Sequence, residues 1–400
     1  MYLHPWDLID EGPDMVFSTM HKIGLTHVNL ATSYHCGRYI LPHNPKRLIY
    51  FAEEGVVYFN PSPEYYKKTM IRPRKSQKYK EYDVLKIAVE YSKNYGLSIN
   101  SWTVCLHNYE LIRAHPEVAV RDPLDNIDEN FMCPNNPDVR EYVISLVSNL
   151  AGNYDLNMIQ LESVAFPWGL IHFDHHETFG TCVDPLLSYL FSTCYCHYCE
   201  KKAKEIGINL SEIRRKVREI ISRTMNYPPE LFSSIPESDA VSRLYHYLMY
   251  DDMLKQLFEF KSATSSEIVQ EIRENIKSIN PKVKLSIITG AAMWLNEGFD
   301  LGKISKMVDA IDYICYFENP NRIENYVRTL RELTDEKCWI IPSLRTNYPI
   351  IYTKENLFAN VEAAINAGAD GISLYNYGWT PKTILSWIKT AIDKIRQSSS

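Results

Sequence analysis

Short apolar stretches alternate with amphipathic ones along the whole chain of 400 residues. Eight of the apolar stretches are bounded by turn-forming residues, which is typical of buried β-strands. They are YLHP (2–5), THVNLAT (26–32), LSINSWTV (97–104), NMIQLES (157–163), VKLSIIT (283–289), IDYICYF (311–317), CWIIPSL (338–344) and GISLYNY (371–377).

Between these strands, apolar residues recur every three or four positions, the spacing of one face of an α-helix. Such segments cover 13–23, 82–95, 137–151, 301–309, 322–334, 354–367 and 380–396, and helical sequence fills much of 196–280. Near-continuous apolar strands that alternate with helices indicate a parallel sheet covered on both faces. Eight such units predict an α/β protein with a (β/α)8 TIM barrel. An open doubly wound sheet is the alternative, but no glycine-rich phosphate-binding loop follows any strand.

Two long insertions interrupt this alternation, one after the second strand and one after the fourth. The second covers 164–282 and contains a cysteine cluster and several helical segments. In a barrel, the loops that follow strands lie at the C-terminal face, where active sites form. The sequence therefore predicts a single barrel domain over 1–400, with both insertions at that face.

The composition excludes some classes of protein. The net charge of -6 gives no basic surface for nucleic acid, and no apolar run is long enough to span a membrane. The first residues, MYLHPWDLID, lack the basic and apolar regions of a signal peptide, so we expect a cytoplasmic protein. We expect its nine cysteines to be reduced or metal-bound. The many Tyr, Ile and Lys residues suggest a thermophilic source, and self-association is left open.

Two of the predicted strands end at carboxylates. The fourth strand ends at Glu162 in MIQLE, and the sixth is followed by Glu318 in YICYFENP. An unpaired buried charge costs several kcal/mol, so one explanation is that each carboxylate pairs with an Arg or Lys. The other is chemical, because hydrolysis of a glycosidic bond uses two carboxyl groups. In a barrel, both would point into the same mouth.

Aromatic and polar residues cluster at the same ends of the predicted strands. Indole rings stack on the flat apolar faces of sugars, and the N–H group can still donate a hydrogen bond. Fixed donors and acceptors around such rings would bind hydroxyl groups, although each could instead brace a loop. The candidate substrate-binding residues are Trp6, Asp7, Tyr34, His35, His43, Trp102, His107, Asn108, Trp168, His176, Glu177, Trp294, Arg345, Asn347, Tyr375, Asn376 and Trp379.

The segment IHFDHHETF (171–179) is rich in groups that bind metals. His172, His175, His176 and Glu177 offer ligands, but their spacing matches no recognised zinc motif. A metal-dependent hydrolase or lyase built on 172–177 is therefore an alternative function. The other interpretation is that this loop lines the substrate mouth or is solvated.

A second cluster, STCYCHYCEKKAKEIG, contains Cys-x-Cys-x-x-Cys at Cys194, Cys196 and Cys199. Zinc in structural sites takes four soft ligands in a tetrahedron, so three thiols this close favour a structural zinc ion. We expect Cys182 as the fourth ligand, with Cys133, Cys105 and His197 as the other candidates. Free thiols are the competing interpretation, and no organic cofactor is expected.

The motifs IQLES and CYCHYCEKKAKEIG together resemble the strand-four region of glycoside hydrolase family 42 β-galactosidases and their barrel relatives. The resemblance implies that Glu162 is the acid/base and that Cys194, Cys196 and Cys199 bind zinc. Two features differ from that family: Leu161 replaces the asparagine before the acid/base, and IIPSLRTN offers no carboxylate after strand seven. Glu318 is the substitute nucleophile that the sequence suggests.

The sequence thus predicts a glycosidase that acts with retention of configuration on an unidentified glycoside or oligosaccharide. Glu318 would attack the anomeric carbon, and Glu162 would protonate the leaving oxygen and then activate water. The acid must be kept neutral near pH 6 by apolar surroundings or by its partner's charge. A non-catalytic carbohydrate-binding barrel is a further alternative.

Overall fold

Eight parallel strands form the central sheet of the computed structural model, which describes residues 1–169, 184–226, 237–291 and 293–398. We label them β1 to β8 in chain order, and each overlaps one of the eight predicted strands. They are Tyr2–Leu3, His27–Tyr34, Ser98–Val104, Met158–Glu162, Lys284–Gly290, Ala310–Cys315, Trp339–Arg345 and Ser373–Tyr375. Each strand pairs in parallel with the next, from β1 to β8. The predicted (β/α)8 barrel is confirmed.

Side chains join the first and last strands across the remaining side of the barrel. The rings of Tyr2 on β1 and Tyr375 on β8 meet edge to face with centroids 5.4 Å apart. One strand further along, Asn29 Nδ2 donates to Ser373 Oγ over 3.3 Å. The two ends of the sheet therefore lie against one another even though the described residues show no ladder between β1 and β8.

Helices connect the strands. Their bounds are Pro5–Glu11, Pro13–Lys22, Val84–Lys93, Tyr109–Ala114, Pro137–Asn153, Pro185–Phe191, His197–Glu205, Leu210–Met225, Glu237–Tyr250, Asp252–Ile279, Met293–Glu297, Leu301–Ile304, Pro320–Leu333, Lys354–Asn366 and Lys382–Ser398. Most face the barrel with one apolar side, as Pro320–Leu333 does with Ile323, Val327 and Leu330. The predicted helix 301–309 is shorter, because the chain turns at Ser305 and Lys306 before it enters β6.

The insertion after β2 contains β-structure that the pattern analysis did not predict. Arg38–Ile40 and Ile49–Phe51 form an antiparallel hairpin, and Val56–Val57 pairs antiparallel with the end of β2. Arg74–Lys75 adds a further short strand beside Val56–Val57. These pieces are two or three residues long, too short for a hydrophobic period to be visible.

A second hairpin, Ala119–Arg121 with Ile127–Met132, follows β3 and was also not predicted. The described residues of the insertion after β4 are mainly helical, as expected, and they end in the long helix Asp252–Ile279. That helix buries one face, including Leu257, Ile268 and Ile272, so it packs on the barrel rather than standing away from it.

The lower barrel interior is polar, and a hydrogen-bond network forms around Asp312 of β6. Its carboxylate accepts hydrogen bonds from Gln160 on β4 (3.1 Å), Ser343 on β7 (2.5 Å) and Ser373 on β8 (3.0 Å). Buried polar groups are costly unless they are paired in this way. Asp312 thus links four strands from inside.

None of the described helices is long and apolar enough to cross a membrane.

Candidate active site

A cavity of about 390 Å³ opens at the carboxyl ends of the strands. Its wall is mostly aromatic, with a few charged groups. The lining residues are Tyr2, Tyr34, His35, Cys36, Gly37, Arg38, Tyr39, Trp102, Glu162, Trp168, Ile288, Ile314, Tyr316, Ser343, Arg345, Tyr375 and Trp379. An apolar cavity with a few convergent polar groups is the usual form of a small-molecule site.

Glu162 is the only carboxylate among these described lining residues. Its side chain comes from the last position of β4, and the residue is 6% exposed. Trp102 Nε1, from β3, donates a hydrogen bond of 2.5 Å to Oε2, and His35 Nε2 lies 3.9 Å from Oε1. The strand that ends at Glu162 therefore delivers a carboxyl group into the cavity with one oxygen held by an indole.

Burial raises the pKa of Glu162 to about 7. The Trp102 hydrogen bond opposes this shift by favouring the carboxylate, and the charge of Asp312 below adds to the shift. A carboxyl group with a pKa near 7 can both donate and accept a proton close to neutral pH, as a general acid/base must.

The backbone changes direction just after this group. Ser163 has a φ of 53°, the left-handed region that costs a non-glycine residue about 1 kcal/mol or more. The carbonyl groups of Glu162 and Ser163 nevertheless accept hydrogen bonds from Cys105 and Leu106, which follow β3. The turn is thus held by the neighbouring loop, and it fixes where Glu162 points.

Aromatic rings from five strand ends surround the carboxyl group. Trp102 contacts Tyr2 and Tyr34 edge to face, each with centroids 4.9 Å apart. Tyr375 in turn meets Trp379 at 90° and 5.1 Å, and Tyr316 stacks on Tyr375 at 5.3 Å. Edge-to-face packing fixes each ring through its neighbours, so the wall is rigid.

The structure brings eight of the predicted site residues to this cavity. They are Tyr34, His35, Trp102, Glu162, Trp168, Arg345, Tyr375 and Trp379. Residues that the sequence analysis missed also line it, among them Tyr2, Tyr39, Tyr316 and Ser343. Tyr2, Tyr316 and Ser343 lie in predicted strands, so their position in a barrel strand was the only signal that could have selected them. Tyr39 lies in the hairpin that was not predicted.

Several other predicted residues lie outside the cavity and make buried contacts within the segments that surround it. Trp6 is fully buried between His4 and Tyr50, and Asp7 accepts a hydrogen bond from the His4 N–H at the start of its helix. His43 pairs with Glu11 and the Tyr377 carbonyl, and Asn108 caps the helix Tyr109–Ala114. These residues are not among those lining the cavity.

The remaining predicted residues support the wall or lie near it. His107 stacks between His35 and Phe131, with centroids 4.6 and 4.9 Å apart. Asn347 accepts a hydrogen bond from Arg345, and Asn376 caps the short helical turn Tyr377–Trp379. Trp294 is partly buried in the helix Met293–Glu297, outside the cavity lining.

Glu318 is not in the cavity. It is exposed beyond the end of β6, where its Oε1 accepts a hydrogen bond from the exposed Tyr352. The chain leaves the barrel mouth at Tyr316 and Phe317 before it reaches Glu318. The expectation that Glu318 and Glu162 share one mouth is therefore not met, because the strand is shorter than the apolar pattern suggested.

A different carboxylate lies behind the wall. Glu297 is fully buried, and its two oxygens accept hydrogen bonds from Trp168 Nε1 (2.9 Å) and Thr289 Oγ1 (2.7 Å). Burial raises its pKa to about 8, and the charge of Glu162 adds to this shift. Its only sequence signal was a glutamate in NEG shortly after the fifth strand. Glu297 holds Trp168 in the cavity wall.

The cysteine cluster could hold a metal ion. The sulfurs of Cys133, Cys194, Cys196 and Cys199 all lie within 4.8 Å of one another, and Cys133 Sγ is 3.5 Å from both Cys196 Sγ and Cys199 Sγ. Tetrahedral Zn–S bonds of about 2.3 Å place sulfurs about 3.8 Å apart, so the four thiols fit zinc.

The cluster also provides donors to its sulfurs. Cys194 Sγ accepts from the Arg121 N–H and Cys199 Sγ from Asn135 Nδ2, as metal-bound thiolates commonly do. Cys133, one of the candidates named from the sequence, supplies the fourth thiol here. Cys182 lies outside the described residues, as do His176, Glu177 and the rest of the segment 172–177.

A larger cavity of about 550 Å³ lies at the opposite, N-terminal end of the barrel. Its walls are largely aliphatic and are formed by the helices Lys354–Asn366 and Lys382–Ser398 together with strand and loop residues at that end of the barrel. Barrel active sites form at the C-terminal end, and the titratable groups described above are there. We therefore place the candidate site at the smaller cavity.

Comparison with known proteins identifies the fold. No protein-family model matches the sequence, and no curated protein matches it. Solved structures do match, and several of them are glycoside hydrolases. The chain is similar to the β-galactosidase of the psychrophilic Marinomonas ef1 with a TM-score of 0.61 and 11% identity, over 99% of this chain and 59% of that one.

Two further structures give the same result. A catalytic mutant of Gan42B, a GH42 β-galactosidase from G. stearothermophilus, matches with a TM-score of 0.60 and 11% identity, over 100% of this chain and 56% of that one. The PgaB (BpsB) glycoside hydrolase domain from Bordetella bronchiseptica matches with a TM-score of 0.56 and 12% identity, over 98% and 96%. The chain thus has the barrel fold of GH42-like glycoside hydrolases, and it spans under two thirds of the β-galactosidases.

Proposed function

We propose that this protein is a glycoside hydrolase in which Glu162 is the general acid/base. The observation that carries the proposal is a buried carboxyl group with a pKa near 7 at the end of β4, inside an aromatic cavity. Such a group protonates a leaving oxygen efficiently, and flat aromatic walls suit the apolar faces of sugar rings. The likeness to glycoside hydrolase barrels supports the same class of reaction.

The test is the Glu162→Gln variant assayed on two substrates, a nitrophenyl glycoside and a disaccharide of the same sugar. Loss of the acid should lower kcat on the disaccharide at least about 100-fold, because its leaving group needs a proton. The nitrophenyl leaving group needs none, so kcat/KM for that substrate, which reports the first bond cleavage alone, should fall much less, whereas its kcat should fall because Glu162 also activates the water. Loss of less than about tenfold on the disaccharide would rule out Glu162 as the acid.

The same role predicts a pH dependence. A general acid must be protonated, so the wild-type rate should fall as the pH rises through about 7, the pKa of Glu162. A wild-type rate on the disaccharide that stays flat from pH 6 to 9 would contradict the assignment.

The nucleophile remains a separate question. The sequence predicts that the reaction retains the anomeric configuration, and we keep this as the proposed outcome. NMR spectroscopy of the first-formed anomer of the product tests it. The geometry does not support Glu318 as the attacking group, since it is exposed and outside the cavity lining. Glu297 is closer to the site, but both of its oxygens are engaged behind Trp168. Comparing Glu318→Gln with Glu297→Gln on a nitrophenyl glycoside shows whether either one is needed.

A non-catalytic carbohydrate-binding barrel is the second candidate. The observation that favours it is the single carboxylate among the described lining residues, because glycoside hydrolysis ordinarily uses two. It would bind sugars without turning over any member of a broad nitrophenyl glycoside panel. The metal-dependent hydrolase built on 172–177 stays a prediction from the sequence alone.

We also propose that the four-cysteine cluster binds zinc. The ligands would be Cys133, Cys194, Cys196 and Cys199, whose soft thiols and mutual distances suit that ion. The site would be structural, since four protein ligands leave no open position for substrate.

A further inference from the structure

Arg345 is a cation at the cavity that has no carboxylate partner among the described residues. It comes from the last position of β7 and is half-buried. Its Nε donates to Asn347 Oδ1 over 3.1 Å, and among the described residues its Nη1 and Nη2 have no hydrogen-bond or carboxylate partner. The paired N–H groups of a guanidinium fork match the two oxygens of a carboxylate.

Neighbouring rings hold this guanidinium in place. It lies 5.3 Å from the centroid of Tyr316 and 5.5 Å from that of Trp379, and both rings line the cavity. The Asn347 hydrogen bond fixes the remaining rotation. An arginine positioned in this way loses little side-chain freedom on binding, so its two free Nη groups form a prepared site.

The charge balance of the cavity favours an anion. Its described lining carries two arginines, Arg38 and Arg345, and one carboxylate, Glu162. Burial keeps Glu162 partly protonated near neutral pH. Strands β4 and β7 also lie on different sides of the mouth. A sugar bound between them would have its glycosidic oxygen at Glu162 and its far side at Arg345.

We propose that Arg345 forms an anion-binding subsite and that the glycoside bound in this cavity carries an acidic group. The inference rests on the proposed function, because it names the substrate class of that same site. A uronic acid carboxylate is the simplest such group, and a sulfate or phosphate ester on the sugar offers the same chemistry to the arginine fork.

Calorimetric binding by the full chain tests the subsite without requiring turnover. The probes are galacturonic acid, galactose 6-phosphate and neutral galactose, followed by glucuronic acid and glucose. We expect one acidic class to bind about tenfold or more tightly than its neutral counterpart, as charge-assisted hydrogen bonds provide. Preference for the uronic acids or for the phosphate identifies the source of the charge.

The variant Arg345→Gln should reduce that preference to about twofold or less, because it weakens binding of the acidic sugar more than binding of the neutral one. Arg322→Gln is the matched control, since Arg322 also lies over two rings, Phe317 and Tyr326, but away from the cavity. It should keep the preference. Arg345→Lys keeps the charge but loses the guanidinium fork, so it should retain only part of the preference for the acidic sugar. This variant replaces Arg345→Gln in the test if the Gln variant does not fold.

Each outcome decides a different claim. Equal binding of acidic and neutral sugars by the wild type, or a preference that survives Arg345→Gln, overturns the anion subsite and leaves the glycosidase proposal standing. Failure of every sugar to bind, together with no turnover on acidic or neutral nitrophenyl glycosides, overturns both. Turnover of neutral glycosides alone overturns only the subsite.

Discussion

At the scale of single residues, the site is built from buried groups whose pKa values are raised by lost hydration. Glu162 and Glu297 both have raised pKa values, of about 7 and about 8, and each is stabilised by an indole N–H, from Trp102 and Trp168 respectively. The charge of one adds to the cost of ionising the other. Because Glu162 faces the cavity, its raised pKa suits it to proton transfer. Because Glu297 lies behind the wall, its raised pKa instead makes the stability of the fold depend on pH.

Glu297 allows that dependence to be measured. Its pKa is raised in the folded protein from an ordinary 4.5 to about 8, so the stabilisation it provides is full below pH 4.5 and is lost as the pH rises through 8. Glu297→Gln keeps a neutral side chain at every pH. We expect wild type and variant to be similarly stable at pH 5, and the wild type to be less stable than the variant by roughly 5 kcal/mol at pH 9.

Urea denaturation of both proteins across this pH range makes the comparison. Glu324→Gln is the control, because Glu324 is a surface residue that pairs with Arg328. A difference between wild type and Glu297→Gln that does not change with pH would show that Glu297 is not protonated in the folded protein.

At the scale of elements, the cysteine cluster joins two parts of the chain whose described residues form no strand pairing with each other. Cys133 follows the hairpin strand Ile127–Met132, whereas Cys196 and Cys199 lie at the start of the helix His197–Glu205. A tetrahedral ion would fasten the insertion after β4 to the loop after β3. The loop follows the strand that carries Trp102, and the insertion follows the strand that ends at Glu162.

We expect the purified protein to contain about one zinc ion per chain, and removal of that ion by a chelator to lower the Tm by roughly 5 °C or more. Cys196→Ser should lose the metal and show the same lower Tm without chelator. Elemental analysis and thermal denaturation measure the two effects.

Cys338→Ser provides a control for the cost of altering a buried thiol, since Cys338 is 1% exposed and outside the cluster. It should keep its zinc and its response to chelator. A metal-free protein whose Tm is insensitive to chelator would show that the four thiols are simply packed together.

At the scale of the whole molecule, the barrel depends on a polar link across its interior. Asp312 accepts hydrogen bonds from β4, β7 and β8, which lie on different sides of β6. Burial raises its pKa to about 6, and the serine hydroxyls of Ser343 and Ser373 oppose this shift. The network holds the strand ends in the arrangement that places Glu162 and Arg345 around one cavity.

Asp312→Ala should destabilise the protein by about 3–5 kcal/mol, because it removes an acceptor and leaves buried donors unpaired. Asp312→Asn keeps an acceptor and should cost less. Asp155→Ala, at an exposed surface ion pair with Lys93, should change stability by under about 1 kcal/mol. The free energy of unfolding in urea ranks the three, and an Asp312→Ala variant as stable as Asp155→Ala would contradict the role of the network.

The sequence was most informative where a physical rule repeats along the chain. Every barrel strand was predicted, because strands buried on both faces require continuous apolar runs. The position of Glu162 followed from the same rule, as the polar end of such a run. The short strands around Arg38 and Tyr39 were missed, since two or three residues give no measurable period.

The candidate site was only partly accessible in this way. The sequence selected Arg345 and Trp379, which line the cavity, but by the same strand-end rule it selected Trp6 and Asn108, which lie outside the cavity lining. A ring or an amide that follows a strand has the same local sequence in either role. The direction of the side chain decides between them, and that direction depends on neighbours distant in the sequence.

The sequence by itself determined the number and order of the strands and the carboxylate that ends β4, because these follow from local burial and from chain order. Only the tertiary structure decided that Glu318 lies outside the cavity, that Glu297 lies behind Trp168 and that Cys133 joins the thiol cluster. These are contacts between residues separated by many positions along the chain. They are set by how the strands and insertions pack in three dimensions, and no local pattern records them.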